Sequence, residues 1–90
     1  MVARKFFVSG EVQGVGFRFF TQRIAARHQV TGYVRNLADG RVEALANGEA
    51  AAIEAFRYDL ATGPAGAIVT GIEEINVEVM QRYSSFRIER

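Results

Sequence analysis

Residues 5–37 read KFFVSGEVQGVGFRFFTQRIAARHQVTGYVRNL, and the hydrophobic period changes twice along them. From Lys5 to Val12 the period is two. Phe6, Val8, Gly10 and Val12 share one face, while Lys5, Phe7, Ser9 and Glu11 share the other, as in a strand. From Phe19 to Gln29 the spacing becomes helical, with Phe20, Ile24 and Ala25 on one side. Thr31 to Leu37 returns to strand, its TGYV being β-branched and aromatic. A strand, a helix and a strand in this order imply a right-handed crossover between parallel strands.

Downstream, Ala38-Asp39-Gly40 is a turn that closes a hairpin onto Arg41–Asn47, where Val42, Ala44 and Ala46 alternate inward. Residues 49–61 form a second helix, with Ile53, Phe56 and Leu60 on its apolar face and Gly63-Pro64 as its stop. A long strand follows over Val69–Val79. Its parity shifts between Ile72 and Ile75, which suggests a bulge. After a break at Ser84-Ser85, Phe86–Glu89 is a possible short fifth strand. The order βαββαβ is the ferredoxin-like α+β arrangement. It predicts one domain over 1–90, an antiparallel sheet of order 4-1-3-2 and both helices on one face.

This topology gives the stretch GEVQGVGFR, residues 10–18, a job. It joins the end of the first strand to the first helix. Gly14 and Gly16 let backbone N–H groups turn inward, and with the helix N-terminus they can form an anion-binding nest. Arg18 closes the loop with a planar, permanent charge suited to a tetrahedral oxyanion. The stretch is neither a Walker loop nor a dinucleotide fingerprint, since no Gly-Lys-Ser/Thr follows and Phe19 stands at the third glycine's place. On the residues alone it is a generic glycine loop, and many such loops bind nothing. Asn36 ends the second strand on the side of Val34. One strand lies between its end and the loop, a gap of about 10 Å that an Arg side chain largely spans. By itself Asn36 is equally a turn residue ahead of Asp39-Gly40.

Composition narrows the class. Ten acids face eleven bases, a balance that argues against a dedicated nucleic-acid protein. An RNA platform on the open sheet face needs aromatics on the central strands, and Phe7 is the one obvious candidate. Cysteine is absent, which removes disulfides, thiolate nucleophiles and thiolate metal sites. No apolar run approaches the ~20 residues of a membrane span, and MVARKFFVSG is too soon polar for a signal peptide. A cytoplasmic location is expected.

Two dispersed segments resemble the acylphosphatase family. GEVQGVGFR matches its first signature, Gly-x-Val-Gln-Gly-Val-x-Phe/Tyr-Arg, at every fixed position. GYVRNLADGRVEALANG is similar to the second, through Gly32, Tyr33, Val34, Asn36, Gly40, Val42 and Gly48. TGPAGAIVTGI resembles the family's Gly-Pro turn into its long strand. The resemblance spans nearly the whole chain. It implies a monomeric enzyme that hydrolyses small-molecule acyl phosphates, without metal or organic cofactor. By the same resemblance Arg18 binds the phosphoryl group and Asn36 orients the attacking water. The backbone N–H groups of Gln13, Gly14, Val15, Gly16, Phe17 and Arg18 complete the cradle. The residue inventory agrees: the single histidine, His28, falls at the far end of the first helix, and Asp39 and Asp59 form no Asp-x-Asp pair. A mixed anhydride has a good leaving group, so water attack under electrostatic stabilisation suffices. The alternative is a non-catalytic regulatory or binding domain of the same fold, against which Arg18 and Asn36 argue.

Family members often carry Leu-Gly where this chain has His28-Gln29, which puts the first helix's end in doubt. Phe17, Phe20 and Phe56 read as core, Tyr33 as sheet packing rather than pocket rim, and Arg35 as a solvated residue facing away from Asn36. Arg4, Arg82, Arg87 and Arg90 read as surface charge.

Overall fold

The computed structural model describes residues 1–79 and 83–90, so Arg82 lies outside the described residues. The elements are β1 (Val2–Glu11), α1 (Phe17–His28), β2 (Thr31–Asn36), β3 (Val42–Gly48), α2 (Ala50–Thr62), β4 (Ile68–Val77) and β5 (Phe86–Glu89). The sheet order is β4-β1-β3-β2-β5. The expected 4-1-3-2 core is antiparallel throughout. The short fifth strand departs from it, pairing parallel to β2 with Gly32 opposite Phe86 and Arg35 opposite Glu89. The sheet is therefore mixed.

The alternation along β1 works as its residues require. Phe6, Val8 and Val12 are buried, as are Val34 of β2 and Val42, Ala44 and Ala46 of β3. These meet Phe17, Ile24 and Ala25 from α1 and Ile53, Phe56 and Leu60 from α2 in one core. Phe56 packs tilted against both Phe6 and Phe86, with ring centroids 5.9 Å apart in each case. Phe20 is half-buried and meets Phe17 edge-on at 5.8 Å. Arg4 is not plain surface charge. It is half-buried and bonds Glu74 at 2.9 Å and Glu54 at 3.1 Å, tying β4 to α2.

The irregularity expected in β4 lies elsewhere. Ile72 faces the helices opposite Val8 and Ile75 faces outward opposite Lys5, with no slip between them. The register instead shifts between Ser9 and Gly10, which pair with Gly71 and Val69, leaving Thr70 as the extra residue. Gly10 has φ 125° there, and a Cβ on it would strike the Ile68 carbonyl oxygen. Gly32, at φ 140°, would likewise strike the Leu45 carbonyl. Gly14 also has a positive φ, 76°, but nothing lies within 4 Å of a Cβ placed there. The three positions therefore separate strain from collision. Gly14→Ala is expected to cost about 1–2 kcal/mol, from left-handed backbone alone. Gly32→Ala is expected to cost about 3 kcal/mol or more, since a backbone carbonyl must also move. Urea unfolding of the two variants checks the difference.

At the end of α1, Gln29 takes over the role of the glycine. It sits left-handed at φ 58°, and the Val30 N–H donates to the Ala25 carbonyl at 2.8 Å. This is a helix end closed by backbone bonds at the price of strain in a residue with a Cβ. Gln29→Gly is expected to stabilise the chain by about 0.5–1 kcal/mol, readable as a higher urea midpoint.

Candidate functional site

The loop between β1 and α1 is built on two left-handed glycines. Gly14 and Gly16 have φ 76° and 75°, and Val15 between them is not left-handed. That alternation turns successive N–H groups toward one side. Gly16 caps α1 without any side-chain capping bond, and the first turn holds no acid. The first helical bond runs from the Phe20 N–H to the Gly16 carbonyl at 3.0 Å. Among the described residues, the N–H groups of Gln13 through Phe19 donate to no protein acceptor. The helix starts two residues earlier than the sequence pattern suggests. Phe17 and Arg18 are its first residues, so their N–H groups belong to the unpaired helix terminus.

Two side chains pin this loop against the neighbouring strand ends. Gln13 Nε2 donates to the carbonyls of Leu37 at 2.8 Å and Arg41 at 2.9 Å, the two residues that close the β2–β3 hairpin. Arg18 Nη1 donates to the Glu89 carbonyl at 3.4 Å, at the end of β5. Glu89 lies opposite Arg35, and Leu37 follows Asn36. Asn36 therefore sits between the two anchor points of the loop, and the register brings loop, Arg18 and Asn36 to one sheet edge. The role of the Gln13 side chain is not legible in the sequence, where only its backbone N–H stands out. No spacing pattern marks a carboxamide that bridges two carbonyls across the fold.

The electrostatics leave room for an anion. Arg18 is half-buried, and no acid pairs with it among the described residues. One weak bond to a carbonyl leaves most of its five donors unused. The Asn36 carboxamide is half-buried and has no hydrogen-bond partner among the described residues. The nearby acid of the hairpin, Asp39, is occupied. It accepts the Arg41 N–H at 3.1 Å and Arg41 Nε at 2.8 Å, bonds that hold its carboxyl below the usual carboxylate range.

The remaining candidates lie away from this edge. His28 Nε2 meets Asp59 Oδ2 at 2.7 Å, joining the far end of α1 to α2. Tyr33 and Arg35 are on the outer sheet face, where both bond Glu43, a carboxylate only 4% exposed. Burial first, then the bond to Glu43, pushes the Tyr33 hydroxyl well above the ordinary tyrosine value. Neither side chain rims the loop. Arg87 and Arg90 are exposed, as expected. Among the described residues, no cluster of His, Asp and Glu is arranged to hold a metal ion.

The family model described as acylphosphatase matches residues 4–88. An acylphosphatase of Actinobacillus succinogenes is 47% identical over 90 residues, covering all of both chains. One from Archaeoglobus fulgidus is 44% identical over 88 residues, 98% of each chain. The crystal structure of acylphosphatase from Bacillus subtilis superposes with a TM-score of 0.96 at 36% identity, over the full length of both. A full-length match in sequence and in backbone places this chain in the acylphosphatase family, enzymes that hydrolyse acyl phosphates.

Proposed function

We propose that the phosphoryl group of the acyl phosphate sits in the loop of residues 13–18, held by its amides and by the Arg18 guanidinium, while Asn36 positions the attacking water. The observation that carries this is the unpaired Arg18 charge beside a run of unpaired N–H groups. Such donors stabilise charge most where it grows in the transition state, on the equatorial phosphoryl oxygens. The water oxygen bonds to phosphorus, and the bond from phosphorus to the bridging acyl oxygen breaks. Its electron pair leaves on the carboxylate. His28 and Asp39 are engaged elsewhere, so a phosphoryl oxygen takes the proton that water loses.

The same reading makes the enzyme a cytoplasmic monomer without a nucleic-acid partner. Near-neutral charge and the lack of cysteine support this, and among the described residues no helix is long and apolar enough to cross a membrane. The edge strand β4 carries Glu73, an exposed charge that opposes edge-to-edge pairing with a second copy. Hydrolysis in ¹⁸O-labelled water tests the point of attack. The label is expected in inorganic phosphate. Label in the carboxylate would mean attack at the acyl carbon and would remove the proposed role of Asn36.

A further inference from the structure

The sheet face away from the helices holds a cavity of about 240 Å³. Its walls include the tilted rings of Tyr33 and Tyr83, 6.2 Å apart, with the apolar side chains of Leu45 and Val77. Asn47 also lines it. This residue is only 3% exposed, yet its Nδ2 donates to nothing among the described residues. A buried donor left unpaired costs free energy and calls for a partner. Lys5 lines the same cavity and has no ion pair among the described residues. Lys5 pairs with Leu45 and Asn47 with Ala3, which makes Lys5 and Asn47 diagonal neighbours on one face of β1 and β3.

Among the described residues, no acid around this cavity uses those two donors; Glu73, diagonal to Lys5 on the same face, is exposed to solvent. Glu43 is engaged by the Tyr33 hydroxyl and by Arg35 Nε at 3.3 Å. Glu78 lines the cavity but is exposed to solvent, which screens it. Among the described residues this leaves a cationic donor and a neutral donor at diagonal positions, with two aromatic rings and two aliphatic side chains around them.

We propose that this cavity is a second ligand site, separate from the phosphate cradle, for a small organic carboxylate with a flat or branched apolar body. The carboxylate oxygens accept from Lys5 Nζ and from Asn47 Nδ2, whose side chain turns to bring this buried nitrogen to the cavity wall, and the apolar body packs on Leu45, Val77 and the two tyrosine rings. Inorganic phosphate has the charge but not the apolar body, so it does not satisfy this site. Carboxylates of this kind are also a product of acyl phosphate hydrolysis, so the experiment must separate the two sites.

Benzoate titrated into the ¹⁵N-labelled protein, with inorganic phosphate present to occupy the cradle, makes that separation by NMR. The expected result is amide shifts centred on Lys5, Tyr33, Leu45 and Asn47. Asn47→Leu and Lys5→Met are each expected to weaken binding by roughly tenfold. Asn47→Leu leaves no buried donor unpaired and Lys5 is half-buried, so both variants are expected to fold; if one does not, the other decides. Shifts confined to residues 13–18 and 36, or no shifts up to ~10 mM benzoate, overturn the proposal. So does unchanged affinity in the folded variants.

Discussion

Arg18→Ala is expected to lower kcat/KM for a synthetic acyl phosphate by about 10³–10⁵-fold, the range lost when an arginine that stabilises a phosphoryl transition state is removed. The fold should survive. Arg18 makes one bond of 3.4 Å to a carbonyl and is half-buried, so its loss costs about 0.5–1 kcal/mol of stability. Arg35 is committed to Glu43 on the opposite face, and Arg41 is paired with Asp39. Arg18→Lys should restore only part of the loss, since an ammonium cannot reproduce the planar fork that meets two oxygens at once. Steady-state kinetics on the three forms, with circular dichroism to verify folding, check this. Wild-type activity in folded Arg18→Ala would falsify the assignment.

Asn36→Ala is expected to fall in kcat by about 10²–10³-fold, comparable to losing one positioned polar group in a hydrolytic site. The signature differs from that of Arg18. In its proposed role Arg18 grips the phosphoryl group in both ground and transition states, so its loss is also expected to weaken inhibition by inorganic phosphate. In its proposed role Asn36 acts on water alone, so its removal should leave phosphate inhibition close to wild type. A folded Asn36→Ala variant that loses phosphate affinity in step with kcat would make Asn36 part of the grip instead. The strand position is compatible with this proposed role. Asn36 pairs with Val42 as the last residue of β2, so its backbone is fixed by the ladder while its carboxamide stays unpaired.

The sequence was most legible where one face of an element is fully buried. Phe6 and Val8 in β1, and Ile53, Phe56 and Leu60 in α2, all repeat at the period of their element and all are core. Legibility failed where burial is incomplete on both faces or capping is silent. Ile75 is 42% exposed, and counting it as inward moved the expected bulge to the wrong end of β4. The start of α1 was hidden because Gly16 caps it through backbone conformation, without the Ser, Thr, Asp or Asn that usually marks the position. The pairing of β5 rests on tertiary contact between four residues and β2, which no local pattern encodes. For the site, the loop was visible as glycines and Arg18, while Asn36 gained meaning only through topology. The Gln13 bridge and the unpaired Asn47 left no trace, since both depend on what lies across the sheet.

The most direct test of the central claim is a crystal structure with phosphate bound. The expected result is one anion in the loop of residues 13–18, about 2.7–3.1 Å from several backbone nitrogens and from the Arg18 guanidinium. Asn36 should face its open side with room for one water. An anion bound elsewhere, with the amides of Gln13 to Arg18 left to solvent and Arg18 still on the Glu89 carbonyl, contradicts the account.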